Sequence, residues 1–268
     1  MLYKFKLFTL LFATALCFSC QNAQESENEN PTKIMENEEC LICGAPLEYL
    51  QVGDTMECEI CHKSVFSTVR CTNGHYVCDE CHTSGVDSVI GLCMRETSKN
   101  PIEILEKMMN MPFCHMHGPE HHILVGSALL TAYKNAGGEV DLHKGLLEMM
   151  RRGKQVPGGA CGYWGACGAG ISTGMFVSII TEATPMTKES WGLSNKMTSE
   201  ALDRISKTGG PRCCKRDSYQ ATLAAIDFVK AHFGIEMEKP VIKCSRSEIN
   251  NQCLGSECPF NPANNSQR

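Results

Sequence analysis

The sequence carries no surplus of basic residues: 25 Lys and Arg stand against 30 Asp and Glu, a formal net charge of −5. That excludes a globally basic nucleic-acid binder and leaves only a local basic patch open. Long apolar runs are also missing. The run from Leu7 to Phe18 falls short of the roughly 20 residues that a spanning helix needs. Beyond residue 82 little alternates with period two, so a sheet-built domain is not expected there. Aromatic residues are sparse at 7%. With 43% hydrophobic and 21% charged residues, the chain is neither a disordered tail nor a polytopic membrane protein. Its 268 residues suit one large or two small domains. What is present in excess is cysteine. Eighteen of them are far more than packing needs, so thiol and metal chemistry is the centre of the reading.

Residues 1–20 place Lys4 and Lys6 before the apolar run and end in Ser19-Cys20. This is the layout of a secretory signal. It is similar to a bacterial lipoprotein signal, with Cys17 where Leu is usual. Gln21 to Glu39 then reads as a flexible acidic tether, with six Glu and one Lys. Two localisations follow. An exported lipoprotein would be anchored through Cys20 and would carry disulfides. Alternatively, Met35 is the start and the protein is cytoplasmic. The Cys-x2-Cys pairs downstream favour the cytoplasmic reading, because thiolate sites persist where thiols stay reduced. Membrane association belongs only to the first.

Residues 40–82 form a candidate two-zinc module. Its ligands are Cys40-x2-Cys43, Cys58-x2-Cys61 and Cys71-x3-His75-x2-Cys78-x2-Cys81. Two-residue spacings let both thiolates of a knuckle reach one tetrahedral ion, and eight ligands make two closed, structural sites. So short a segment cannot fold on apolar burial alone, so metal supplies much of its folding free energy. The run from Cys58 to Cys81 resembles the first six ligands of a RING-type cross-brace finger whose last Cys pair is missing. If Cys40 and Cys43 replace that pair, one zinc takes Cys58, Cys61, Cys78 and Cys81. The other then takes Cys40, Cys43, Cys71 and His75. A sequential pairing, a four-cysteine ribbon followed by a site of three cysteines and one histidine, fits the spacing as well. His62 and His82 each follow a ligand and read as solvated knuckle residues.

The fold expected for the remainder is mainly α. Residues 83–112 read as a connector with a helix, 113–260 as a helical Cys- and Gly-rich domain, and 261–268 as a tail. Helical spacing predicts helices over Pro101–Met111, from Pro119 to Gly137, over Leu142–Arg152, Ile171–Ala183, Thr198–Lys207 and Asp217–Phe233. Methionine pairs among them read as core filler.

Four motifs lie between these helices. Cys114-His-Met-His117-Gly-Pro-Glu-His121-His122 puts a thiol and four imidazoles around a helix start, suited to metal or acid–base work by His117 or His121. The segment 157–172 has six glycines, with Cys161 and Cys167 bracketing its turn. It has no Gly-Lys-Ser/Thr and no preceding strand, so it is neither a phosphate loop nor a dinucleotide fingerprint. Its backbone could still approach an anion or a cluster, or simply pack helices closely. In Gly-Pro-Arg212-Cys213-Cys214-Lys215-Arg216, three cations at a helix start are expected to lower a thiol pKa. Cys213 or Cys214 would then act as nucleophile or ligand, and Arg212, Lys215 and Arg216 would hold an anion. The tail offers Cys244 and Cys253-x4-Cys258-Pro259, a weak echo of bacterial iron–sulfur runs. Cys93 reads as a plain buried thiol.

The set CTNGHYVCDECH, PFCHMHGPEHH, GGACGYWGACGAGIS, GGPRCCKRDSY and a closing CPF resembles a cysteine-rich prokaryotic family known only as a domain of unknown function. Its relatives also occur fused to methyltransferase-like or radical-SAM-like modules in anaerobes. The resemblance spans roughly Cys40 to Pro259 and implies a shared helical metal-binding domain, with no activity to transfer. Two zinc ions are thus expected, with an iron–sulfur cluster or reactive dithiol drawn from Cys161, Cys167, Cys213, Cys214, Cys253 and Cys258. An enzyme of this kind would perform redox, sulfur-transfer or lyase chemistry on a small anionic substrate. The competing reading is a non-catalytic zinc adaptor that binds a partner protein or, through its local basic patch, nucleic acid.

Overall fold

Two antiparallel strands, β1 (Leu47–Glu57) and β2 (Ser64–Cys71), open the described chain, running from Leu47 opposite Cys71 to Glu57 opposite Ser64. β2 is rich in β-branched and aromatic residues, which suit a pleated surface. The register breaks between Tyr49 and Asp54. The computed structural model describes residues 40–267. The expected signal, the Cys20 anchor, the acidic tether and the Met35 start all lie outside the described residues.

Nine α-helices follow among the described residues. The short α1 (Asp79–His82) and α2 (Ser88–Cys93) lead into α3 (Pro101–Met109), α4 (His121–Asn135) and α5 (Leu142–Gly153). Next come α6 (Ala160–Tyr163), α7 (Gly168–Ile180), α8 (Glu189–Ser206) and α9 (Cys214–Phe233). The mainly α fold with a small N-terminal metal-binding module is therefore what the chain adopts. Local chemistry explains the ends. The Asn100 carboxamide accepts from the Ile102 and Glu103 N–H groups at 3.0 and 3.2 Å, with Pro101 in the first turn. Asp141 caps α5 through Lys144 N–H at 3.0 Å, and Arg151 and Arg152 close it against the helix dipole. Gly234 ends α9 at φ +67°, a conformation that costs glycine little.

The central helix is α4. From His121 to Tyr133 every residue is buried, and α3, α5, α7 and α9 all pack on it. The wide seam between α7 and α8 runs on small residues. A Cβ on Gly174 would lie 1.9 Å from Thr198 Oγ1 and 2.9 Å from the Ser194 carbonyl. Gly174→Ala is therefore expected to destabilise the fold by about 1–3 kcal/mol, read as a lower urea midpoint at unchanged slope. Met108, Met149 and Met197 are fully buried filler, and Cys93 is a buried thiol whose pKa burial pushes up to about 11.

Two boundaries differ from expectation. α8 begins at Glu189, nine residues before the expected start, because it buries only Met197 and Ala201 and so shows little apolar periodicity. α7 begins at Gly168, three residues early, since its first-turn glycines admit close neighbours. The irregular segment after α9 is fastened by Arg246, which reaches Glu106 Oε2 at 2.8 Å and Asn110 Oδ1 at 2.6 Å. No helix among the described residues is long and apolar enough to cross a membrane.

Candidate metal centres and a thiol-lined cavity

The hairpin and its flanking knuckles gather eight donors into two sets. Cys40, Cys43, Cys71 and His75 form one, and Cys58, Cys61, Cys78 and Cys81 the other, with all donor atoms of each set within 4.8 Å of one another. This is the cross-brace pairing; the sequential alternative is not what the chain adopts. β2 carries Cys71 away from Cys58, so consecutive pairs along the chain serve different sites. A tetrahedral ion with Zn–S bonds near 2.3 Å sets its sulfurs about 3.8 Å apart. Observed spacings are 3.5 Å for Cys43–Cys71 and 3.7 Å for Cys61–Cys78. His75 Nδ1 lies 3.2 Å from the Cys43 sulfur and 3.9 Å from that of Cys40. Both sets could hold a metal ion. Backbone N–H groups of Ile42 and Asn73 point at the sulfurs of Cys40 and Cys71 at 3.4 and 3.3 Å, stabilising thiolate.

The thiols divide by environment. The Ala45 N–H lowers Cys43 to about 6. Burial raises Cys58, but the Cys78 and Cys61 N–H groups outweigh it and bring it to about 6. Burial and neighbouring sulfurs raise Cys71, Cys78 and Cys81. Only a cation lets all of them ionise together. A metal held by these thiols competes with protons for every sulfur, so its contribution to stability weakens as pH falls below the free-thiol value of about 8.5. Protection of β1 and β2 amides from exchange should therefore fall between pH 8 and pH 5 (order-of-magnitude window) while α4 stays protected.

His62 is exposed, at φ +58°, and meets only Glu57 at 3.0 Å. His82 departs from the solvated reading. Its Nδ1 lies 3.3 Å from the buried Glu120 carboxylate, and its ring meets His115 edge-on at 4.6 Å.

His82 belongs to the wall of a cavity of about 700 Å³ between the module and the helical domain. The Gly-rich segment closes it. Gly158 N–H donates to Asp79 Oδ2 at 2.7 Å, and Tyr163 Oη donates to the Leu50 carbonyl at 3.1 Å. Glycine is needed at these approaches. A Cβ on Gly158 would sit 2.9 Å from Asp79, and one on Gly168 would sit 2.1 Å from the His122 ring. Cys161, Cys167 and Cys214 line this cavity with His117, His121, His122, Arg212 and Asp217. Arg212 donates to Tyr49 Oη at 2.5 Å and lies over the Tyr49 ring at 5.6 Å. The Cys167 sulfur is 4.0 Å from Asp217 Oδ2.

The sequence motif at the start of α9 does not stay together. Cys214 faces the cavity, whereas Cys213 lines a small second cavity with Cys244, Cys253 and Cys258. The six cysteines expected to form one site are thus split in two. Lys215 and Arg216 are buried and committed internally. Lys215 Nζ reaches the His115 carbonyl at 2.8 Å and the Cys114 sulfur at 3.1 Å, and Arg216 pairs with Asp217 at 3.0 Å. Of the three cations only Arg212 lines the large cavity. The expected lowering of the Cys213 and Cys214 pKa is also reversed. Burial raises Cys213 to about 11 and raises Cys214 further, because desolvation outweighs the neighbouring cations. Burial likewise raises Cys161, and takes Cys167 to about 12.

Glu120 is a site residue that the sequence reading misses. It is fully buried at the start of α4, accepts the His115 N–H at 2.9 Å and lies 3.6 Å from His121. Burial alone would raise its carboxyl, but the His82 and His121 imidazoles beside it hold it down to about 2. His121 donates Nδ1–H to the Gly118 carbonyl at 3.0 Å, and burial drives its pKa well down, so Nε2 presents a lone pair 3.7 Å from the Cys114 sulfur. Cys114, Glu120 and His121 form a third set of metal-compatible donors, though the Lys215 ammonium already sits against its sulfur. The available signal is the lone carboxylate amid four histidines in HMHGPEHH.

Fold and sites together define a helical, cysteine-rich protein with metal-compatible Cys/His groups. The chain belongs to the family of unknown function DUF5714, whose family model matches residues 89–261. The match begins within α2 and so leaves the module outside it. No curated protein and no solved structure matches the chain.

Proposed function

We propose that the protein is a cytoplasmic, thiol-dependent enzyme whose module is folded by two zinc ions and whose large cavity takes a small anionic substrate. One observation carries this reading: Cys161, Cys167, Cys214, Arg212 and a group of imidazoles that includes His82, His117, His121 and His122 converge from separate segments on one cavity walled by the module. The two closed donor sets, one of four cysteines and one of three cysteines with a histidine, suit zinc as a structural ion. Arg212 offers a fixed, permanently charged fork to a carboxylate, phosphate or sulfur oxyanion. Neutral His121, with its Nδ1 anchored, presents a proton acceptor, and the buried thiols await a base or a substrate charge to become nucleophiles. All sixteen described cysteines are unpaired, which accords with a reducing compartment.

The test is competition labelling of the full chain. Inorganic phosphate, sulfite and small carboxylates should slow alkylation of Cys161 at mildly alkaline pH, and Arg212→Gln should abolish the protection. Labelling indifferent to every anion would defeat the substrate reading and leave a non-catalytic adaptor.

A further inference from the structure

The small cavity behind α9 is lined by Cys213, Cys244, Cys253 and Cys258, four thiols drawn from segments up to 45 residues apart, none in a disulfide. Their backbone setting matches that of the module's ligands. The Arg246 N–H points at the Cys244 sulfur at 3.4 Å and the Gly255 N–H at that of Cys253 at 3.4 Å. This is the same two-residue offset seen at Cys40 and Cys71. The Cys213 sulfur accepts from the Arg216 N–H and from Asn250 Nδ2, each at 3.5 Å. Four residues thus turn a donor toward sulfur, one of these contacts also capping α9.

Charge and spacing narrow the ligand. Lys215, Arg216 and Arg246 line the same wall, the last two oriented by Asp217 and Glu106. Such a wall suits an anionic four-thiolate centre. Tyr219, Leu254 and Phe260 supply the apolar remainder, which keeps water away. The four sulfurs are not among the tight sets, with donors all within 4.8 Å, that mark the module sites. A cluster, whose cysteines each ligate a different iron, does not need its four sulfurs within reach of a single ion.

We infer that Cys213, Cys244, Cys253 and Cys258 hold a [4Fe–4S] cluster against the inner wall of the large cavity. Cys213 and Cys214 are consecutive, and Asn250 lines both cavities, so the cluster sits directly behind the thiol-lined wall. The inference does not depend on any substrate in the large cavity, and its failure would leave that reading standing.

The experiment is iron, sulfide and zinc analysis with visible spectra on the full chain purified without oxygen, beside single variants. Wild type should contain about four iron and four sulfide per chain. Cys244→Ser and Cys253→Ser should lose iron and the broad visible absorption, whereas Cys161→Ala and Cys93→Ala should keep both. Unchanged zinc and far-ultraviolet dichroism in the serine variants would show that the loss is local. A variant that unfolds is replaced by mass-spectrometric thiol alkylation of wild type, in which the four cysteines should become reactive together on iron removal. Loss of absorption in Cys161→Ala with retention in Cys244→Ser would overturn the assignment. So would a third zinc without iron, or disulfides among the four.

Discussion

Stripping metal from the full chain with a strong chelator is expected to unfold residues 40–82 while the helical domain stays folded. The buried residues of the module's own apolar cluster are Cys58, Tyr76 and Cys78, and two of these belong to the metal-compatible sets. Nothing of that size opposes the chain entropy of about 40 residues. Structural zinc sites carry apparent binding free energies of about 10–16 kcal/mol in small fingers, enough to stand in for a core of this size. The helical domain owns a separate core built on α3, α4, α7 and α9. Hydrogen exchange should therefore show amides of β1 and β2 losing protection and those of α4 and α9 keeping it. Because the Tyr163–Leu50 and Gly158–Asp79 contacts hold the module over the cavity, Cys161 and Cys214 should become reactive in the same step. Cys58→Ser should reproduce the effect without chelator. A module that stays protected after both would show that metal does not fold it.

Replacing Glu120 by Ala should cost about 3–5 kcal/mol, read by urea denaturation. The carboxylate is fully buried between the His115 N–H and the His82 imidazole, so its removal leaves the N–H without its acceptor and takes the carboxylate away from His82. Held at about 2 in the folded chain, against about 4.3 when free, it stabilises the fold in full above that free value. The contribution is lost as pH falls through about 2. Glu120→Gln keeps the shape and one acceptor and should cost less. Its unfolding free energy should also vary less with pH in that acid window. A change below about 1 kcal/mol in Glu120→Ala would mean that the histidines reorganise at little cost.

Much of the fold is written locally. Two-residue cysteine spacings fix the knuckles, and the cross-brace is one of two pairings they allow. Asn100-Pro101 and Gly234 mark helix ends through caps that need no tertiary partner. What the sequence hides is set at longer range. The choice between the two pairings depends on a hairpin that turns Cys71 back toward Cys43. The N-terminal half of α8 is held by contact with the glycines of α7 and has no apolar stripe of its own. The Cys213-Cys214 pair looks like one motif, yet successive residues at a helix start point about 100° apart, so each serves a different cavity. Lys215 and Arg216 read as cations that would hold an anion, and only the packing shows them buried and committed to internal partners. Cys244 carries no spacing signal, and only the fold brings it beside Cys213.

The most direct test of a metal-held module closing a thiol-lined cavity is anomalous diffraction at the zinc edge from crystals of the full chain. The account predicts two zinc peaks, one among Cys40, Cys43, Cys71 and His75 and the other among Cys58, Cys61, Cys78 and Cys81. Absence of both peaks, or a Cys58–Cys61 disulfide in their place, would contradict it.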